Sequence, residues 1–325
     1  MKPFAYARAS SVAEAIEVLD DRCRPLAGGT DLVALMKAGL AAPERLVSIK
    51  WIPGLREIKV RAEGLHIGAM ATLSSLAAHP SVKEPRERAV LYESLVQTAS
   101  PQLRHMATVA GNLLQQPRCW YYRNPLTPCW RKSGRMCFAY RGENKRHVLF
   151  GGGPCYAVHP SDPAVALLAL GARVMLIGRQ GERTLPLEEF YRRPDKESRQ
   201  AVAIAPDELI TEIFVPTPAE GSAGTYVKVA NRAAWDFAQV SVAAQLVIEE
   251  GLVRQARVAL GGVATLPWRA TEVEGTLEGC PLRAETIEKA ARAAIAGARP
   301  LAQNAYKVEL LQGALREALN KLCSL

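Results

Sequence analysis

Residues 25–40 read PLAGGTDLVALMKAGL. A short apolar lead ends in Gly28-Gly29-Thr30-Asp31, and apolar positions then recur at Leu32, Leu35 and Met36. This spacing predicts a strand or extended lead, a glycine turn and a helix N-terminus. Paired glycines allow positive φ and close backbone approach, and amides converging at a helix start suit an anion. Thr30 and Asp31 also suit a helix cap. The stretch therefore reads either as an anion cradle from Ala27 to Leu32 or as a plain helix-entry turn. It is not G-x-x-x-x-G-K-[ST], which excludes a P-loop, nor G-x-G-x-x-G, which excludes a standard Rossmann dinucleotide site.

A second small-residue turn, Thr108-Val109-Ala110-Gly111-Asn112-Leu113, follows about 80 residues later. Two such turns can clasp a pyrophosphate from both sides. The chain before and between them reads as a capping box (Ser11, Glu14) opening a helix over AEAIEVLDD, strands in LVSIK and GLHIGAMATL, a short helix in SSLAAH, and a longer helix over roughly 87–99.

Further on, HPSDPAVALLALGA predicts an apolar helix, with Asp162 suited to cap it ahead of Pro163. ARVMLIG and DELITEIFVP read as strands. PTPAEGSAG marks a boundary near residues 216–224. Beyond it TYVKVA precedes a hairpin turning near Glu250-Gly251, and two helices close the chain, over roughly 284–297 and 306–322. The whole reads as α+β, in a unit of residues 1–218 and a small α+β unit of residues 222–325.

The length, 325 residues, allows two packed units, and 49% apolar with 22% charged residues is ordinary for a globular protein. No apolar run is long enough to span a bilayer. The start, MKPFAYARASS, has neither a signal-peptide core nor a twin-arginine pattern. A cytoplasmic location is expected, or a periplasmic one reached by export with a partner. The net charge of +9 raises nucleic acid as a partner, but no basic run or nucleic-acid motif supports it.

Positive charge is densest where four of the seven cysteines gather, Cys119, Cys129, Cys137 and Cys155, spaced C-x9-C-x7-C-x17-C. Residues 115–158 lack sustained periodicity, and an unstapled loop of this length is improbable in a compact domain. Around them eight basic residues (Arg118, Arg123, Arg131, Lys132, Arg135, Arg141, Lys145, Arg146) face one acid, Glu143. They read as a solvated face, as compensation for thiolates, or as a docking face for an acidic partner. The cysteines admit three disulfide pairings, a zinc site without its usual C-x2-4-C knuckles, or an iron–sulfur centre, whose ligands need only converge in space. Haem attachment would require C-x-x-C-H, which is absent. Cys23, Cys280 and Cys323 are scattered, as expected of structural or free thiols.

PLAGGTDL, IGAMATL, ATVAGNLLQ, CYAVHPSDPAVALLALGA, and YVKVANRAAWDFAQVSVAA followed by VALGGVATLPWR occur in this order over nearly the whole chain. Together they resemble the FAD-binding medium subunit of the molybdenum hydroxylase (xanthine dehydrogenase) family. The resemblance implies a PCMH-type FAD-binding domain followed by the family's small C-terminal domain. It implies that Ala27, Gly28, Gly29, Thr30, Asp31 and Leu32, with Thr108, Ala110, Gly111 and Asn112, hold the FAD pyrophosphate. Asp162 matches a position near FAD, and Lys228 and Trp235-Asp236-Phe237 match the C-terminal side of the flavin pocket. Their plain readings are a helix cap, a surface strand residue, and a core or subunit contact.

The cysteine segment is similar to the insertion in two relatives, 4-hydroxybenzoyl-CoA reductase and bacterial periplasmic aldehyde oxidoreductases, each with an additional [4Fe–4S] cluster. Cys119, Cys137 and Cys155 fit both. The reductase pattern places a Cys where this chain has Arg146, whereas Cys129 in TPCWRKSG follows the aldehyde oxidoreductase type. The resemblance thus implies one subunit of a heterotrimer, alone or dimerised. A large molybdopterin subunit would oxidise an aldehyde or aromatic heterocycle, and a small subunit with two [2Fe–2S] clusters would relay electrons to this chain and on to an external acceptor. The chain itself shows no nucleophile–base pair, so no catalytic residue is expected in it. The reading from a different class is a scaffold module with a zinc-stapled insertion.

Overall fold

The structure, a computed structural model, describes residues 1–324. It is a mixed α+β fold built on three sheets. Strands β1 (Ala5–Arg8), β2 (Cys23–Leu26) and β3 (Arg45–Ser48) form a parallel sheet in the order β1-β3-β2. The helix Val12–Val18 lies between β1 and β2 in the chain, and the helix Leu32–Lys37 between β2 and β3. Pro25, which has no N–H to donate, is accommodated because β2 is an edge strand.

An antiparallel sheet follows: β4 (Ile58–Arg61), β5 (Gly64–Gly68), β6 (Arg173–Gly178), β7 (Gly181–Pro186) and β8 (Leu209–Pro216), in the order β4-β5-β8-β6-β7. The last sheet is an antiparallel meander of β9 (Ser222–Val229), β10 (Val240–Glu249), β11 (Leu252–Gly261) and the short β12 (Trp268–Arg269). Its β10–β11 loop is two residues long, Glu250 and Gly251, both at positive φ (51° and 76°), the conformation that suits a tight hairpin.

The meander is covered on both faces, so β10 is an almost unbroken apolar run. Tyr226, Ala243 and Ala259 join the core formed with Val90, Leu91 and Ala164, from the helices Ala89–Val96 and Asp162–Ala169. Alternate residues such as Val242, Ala244 and Val258 pack on Leu311, Leu315 and Leu319 of the helix Tyr306–Cys323. The two-residue period of a strand thereby bonds one sheet into two cores.

Several local expectations change. The opening contains a strand, β1, before its first helix. Ser11 caps that helix, and Glu14 reaches back to Ser10 N–H and Oγ, both at 2.7 Å. Gly111-Asn112 is not a turn: both residues lie within the short helix Val109–Leu113, which Thr108 caps. The cap of the helix Asp162–Ala169 is Ser161, not Asp162, because the Ser161 hydroxyl accepts the Ala164 N–H at 3.1 Å. The helix Thr271–Leu277 is an additional element of the C-terminal part. Among the described residues, no helix is long and apolar enough to cross a membrane.

Candidate cofactor sites

A cavity of about 830 Å³ opens at the carboxyl end of β2, the end at which crossover helices leave room for a ligand. Its size lies within the usual range for ligand pockets. Ala27, Gly28, Gly29, Thr30, Asp31 and Leu32 all line it. Gly29 takes a positive φ of 73°. Gly28 is held against the backbone at the end of the helix Pro101–Met106, just ahead of Thr108: a Cβ there would lie 1.8 Å from the Met106 carbonyl oxygen. Only glycine permits that approach.

Thr108, Ala110 and Gly111 line the opposite wall. The Thr108 hydroxyl accepts the Gly111 N–H at 3.2 Å. Val109 and Ala110 donate to the carbonyls of Ala71 and Ala69, which fixes this helix start beside the end of β5. Asn112 does not line the cavity; it is buried, and its Oδ1 accepts the Ser161 hydroxyl.

Asp31 occupies the cap position of its helix but makes no capping bond. Its carboxylate instead accepts Gln116 N–H at 2.8 Å and pairs with Arg123 at 2.9 Å and Arg118 at 3.1 Å. The first glycine turn is thus tied to the cysteine segment, which supplies a third wall through Gln115, Gln116, Tyr122 and Arg131. His159, from HPSD, also lines the cavity. Burial pulls its pKa down to about 3, so it is neutral at pH 7.

Asp162 and Lys228 come together, but outside this cavity. Their 2.7 Å ion pair is almost sealed, with both side chains 6% exposed. Tyr226 Oη donates to Asp162 Oδ1 at 2.7 Å, and Lys228 also donates to the Gln97 carbonyl at 2.9 Å. Burial holds the Asp162 carboxyl above the usual range, against the opposing pull of Lys228. Lys228 is therefore not a surface residue. The loop Trp235-Asp236-Phe237 is largely exposed; Arg118 stacks 5.0 Å over the Phe237 ring.

The cysteine segment contains one short helix, Trp120–Arg123, and two 3₁₀ turns. All four thiols are free, Cys129 and Cys155 buried and Cys119 and Cys137 half-buried. Cys119, Cys155, Trp130 and Ala157 share a small apolar cluster. Burial, and then the neighbouring thiols, push the Cys119 pKa up to about 12, and burial likewise raises Cys129 and Cys137. Such thiols ionise only when a cation compensates them. Among the described residues, no three His, Cys, Asp or Glu side chains stand close enough to close on a single metal ion. The electrostatic interactions of Cys119, Cys129 and Cys137 with Cys155 place the four thiols in one neighbourhood.

The segment is locked to the C-terminal part. Asn144 and Gln303 exchange two backbone-to-side-chain bonds, at 3.0 and 2.9 Å, and Asn304 donates to the carbonyls of His147 and Val148, each at 3.0 Å. Lys307, fully buried, donates to the carbonyls of His147 and Gly262.

Fold and cavity together define an α+β protein with a ligand-sized cavity between two backbone-lined walls. The chain belongs to the FAD-binding subunits of the molybdopterin dehydrogenase family. Residues 2–218 match the family model for the FAD-binding domain in molybdopterin dehydrogenase, and residues 225–322 match the CO dehydrogenase flavoprotein C-terminal domain. The aldehyde oxidoreductase FAD-binding subunit PaoB of Escherichia coli is 39% identical, over 98% of both chains. The carbon monoxide dehydrogenase medium chain of Afipia carboxidovorans is 28% identical, over 98% of this chain and 96% of the relative. A solved Cu,Mo-CO dehydrogenase structure superposes with a TM-score of 0.78 at 26% identity, over 100% of this chain and 99% of that one. The chain is thus an oxidoreductase subunit with an FAD-binding domain, as the resemblance implied.

Proposed function

We propose that this chain is the FAD- and [4Fe–4S]-containing electron-transfer subunit of a heterotrimeric molybdenum hydroxylase that oxidises aldehydes or aromatic heterocycles. Residues 1–218 form the PCMH-type FAD-binding domain, residues 115–158 the cluster-bearing insertion, and residues 222–325 the C-terminal domain. The substrate is turned over in a large molybdopterin subunit, and a small subunit with two [2Fe–2S] clusters connects it to this chain. The likeness to an aldehyde oxidoreductase subunit supports the substrate class. The observation that carries the two-cofactor reading is the sharing of one segment: residues 115–131 contribute both a cavity wall and the first two thiols.

When bound, FAD supplies two- and one-electron chemistry and the cluster one-electron chemistry. The chain's residues bind and orient. Ala27–Leu32 and Thr108–Gly111 present backbone to the FAD pyrophosphate, and Asn112 fixes the second helix start to Ser161. Asp162 and Lys228 hold the C-terminal side of the flavin pocket in place. Cys119, Cys129, Cys137 and Cys155 ligate the cluster within an apolar, water-poor shell.

Co-expression with the large and small subunits tests this reading. The expected result is a complex whose flavin absorbance bleaches anaerobically on addition of an aromatic aldehyde. Failure of the three chains to co-purify would count against the electron-transfer role.

A further inference from the structure

The charged groups around the cavity nearly all have protein partners. Asp31 is matched by Arg118 and Arg123, Glu208 by Arg183 at 2.6 Å, and Glu44 by Arg22 at 3.8 Å. Arg24 donates to the carbonyls of Asp20 and Cys23, and Arg199 to those of Trp130 and Gly134. Arg131 differs. It lines the cavity half-buried, yet among the described residues its guanidinium has no hydrogen bond or ion pair. Its charge is felt by Tyr122 and His159, two other residues of the wall. A cation on a cavity wall with no protein partner is free to pair with an anionic group of a ligand in that cavity.

We propose that Arg131 is a cofactor-binding residue that pairs with the FAD diphosphate, so that the cysteine segment builds part of the flavin site. This rests on the FAD reading above. Arg131 follows Cys129 by two residues and lines the cavity, so the cysteine segment and the cavity wall meet at this residue. Guanidinium suits a diphosphate because its planar fork can make paired, charge-assisted bonds.

The test is equilibrium binding of FAD to the deflavinated full chain, followed by flavin fluorescence at low and moderate salt. Arg131→Met is expected to weaken FAD by about ten- to a hundredfold, the effect of losing one charge-assisted bond. It should also flatten the salt dependence, and Arg131→Lys should recover part of the affinity. A Met variant that binds FAD as tightly as the parent, with the same salt slope, overturns the proposal while leaving the FAD reading intact. A parent chain that binds no FAD overturns both. Should Arg131→Met lose its native circular dichroism, Arg131→Gln replaces it. A folded Arg131→Gln variant, which lacks the charge, closes the test: weaker FAD binding with a flatter salt slope supports pairing by charge, and parental affinity with the parental slope refutes it.

Discussion

Replacing Lys228 by Met removes one charge of the sealed Asp162–Lys228 pair while keeping most of the side-chain volume. The pair is 2.7 Å long, and each side chain is only 6% exposed, so water cannot take over from the missing ammonium. Breaking a buried pair from one side costs about 3–5 kcal/mol, because the remaining charge is left uncompensated. Asp162 keeps its bond from Tyr226 Oη, which places the expected loss toward the lower end of that range. The pH dependence follows from the carboxyl. Burial already raises the folded-state pKa of Asp162 above its unfolded value, and losing Lys228 raises it further. Between the two values the folded state binds the extra proton, so stability falls as pH rises through that window. The deficit of Lys228→Met should therefore be greatest near neutral pH and shrink toward mild acid. Urea unfolding of the parent, Lys228→Met, Asp162→Asn and the double variant checks this. The double variant should regain most of the loss, because no charge remains unpaired. Additive single losses, or a deficit that does not change with pH, would refute the reasoning.

Gly28→Ala should lose FAD and about 1–3 kcal/mol of stability, because the new methyl would lie 1.8 Å from the Met106 carbonyl oxygen and the two backbone segments must separate; flavin content and urea unfolding check it. Burial pulls the Lys307 pKa from 10.5 down to about 7, so between those values the unfolded chain holds a proton that the folded chain lacks. This group makes stability rise with pH by up to about 1.4 kcal/mol per unit in that window. The parent-minus-Lys307→Met difference in unfolding free energy should show the rise, and a flat difference contradicts it. Asp31→Asn should remove the ion pairs to Arg118 and Arg123 and loosen the cysteine segment from the first glycine turn, seen as faster proteolysis near residues 115–131.

Long-range pairing separates what the sequence made legible from what it hid. β10, β11 and their hairpin were readable because a ten-residue apolar strand and a Glu-Gly turn are local signals. β1 was missed because AYAR is four mostly exposed residues with little apolar alternation. The edge strands β4 and β7 are similarly exposed and gave no signal. Gly111 looked like a turn because glycine weakens helices, but the Thr108 cap and the backbone bonds to Ala69 and Ala71 outweigh that cost. Asp162 looked like the cap because it precedes Pro163. Ser161 takes that role, leaving Asp162 for a lysine in a distant strand. Both glycine segments were legible as cavity walls. The third wall was not: eight basic residues were countable, but composition does not say that Arg118, Arg123 and Arg131 turn inward.

Cofactor content of the anaerobically purified chain tests the central claim most directly, read as iron, acid-labile sulfide, zinc and extractable flavin with a reduced-state EPR spectrum. The prediction is one FAD with about four iron and four sulfide per chain, and a Cys129→Ser variant that loses the iron signal. FAD accompanied by zinc or by disulfides, with no iron, would contradict the two-cofactor account and leave the insertion as a structural staple.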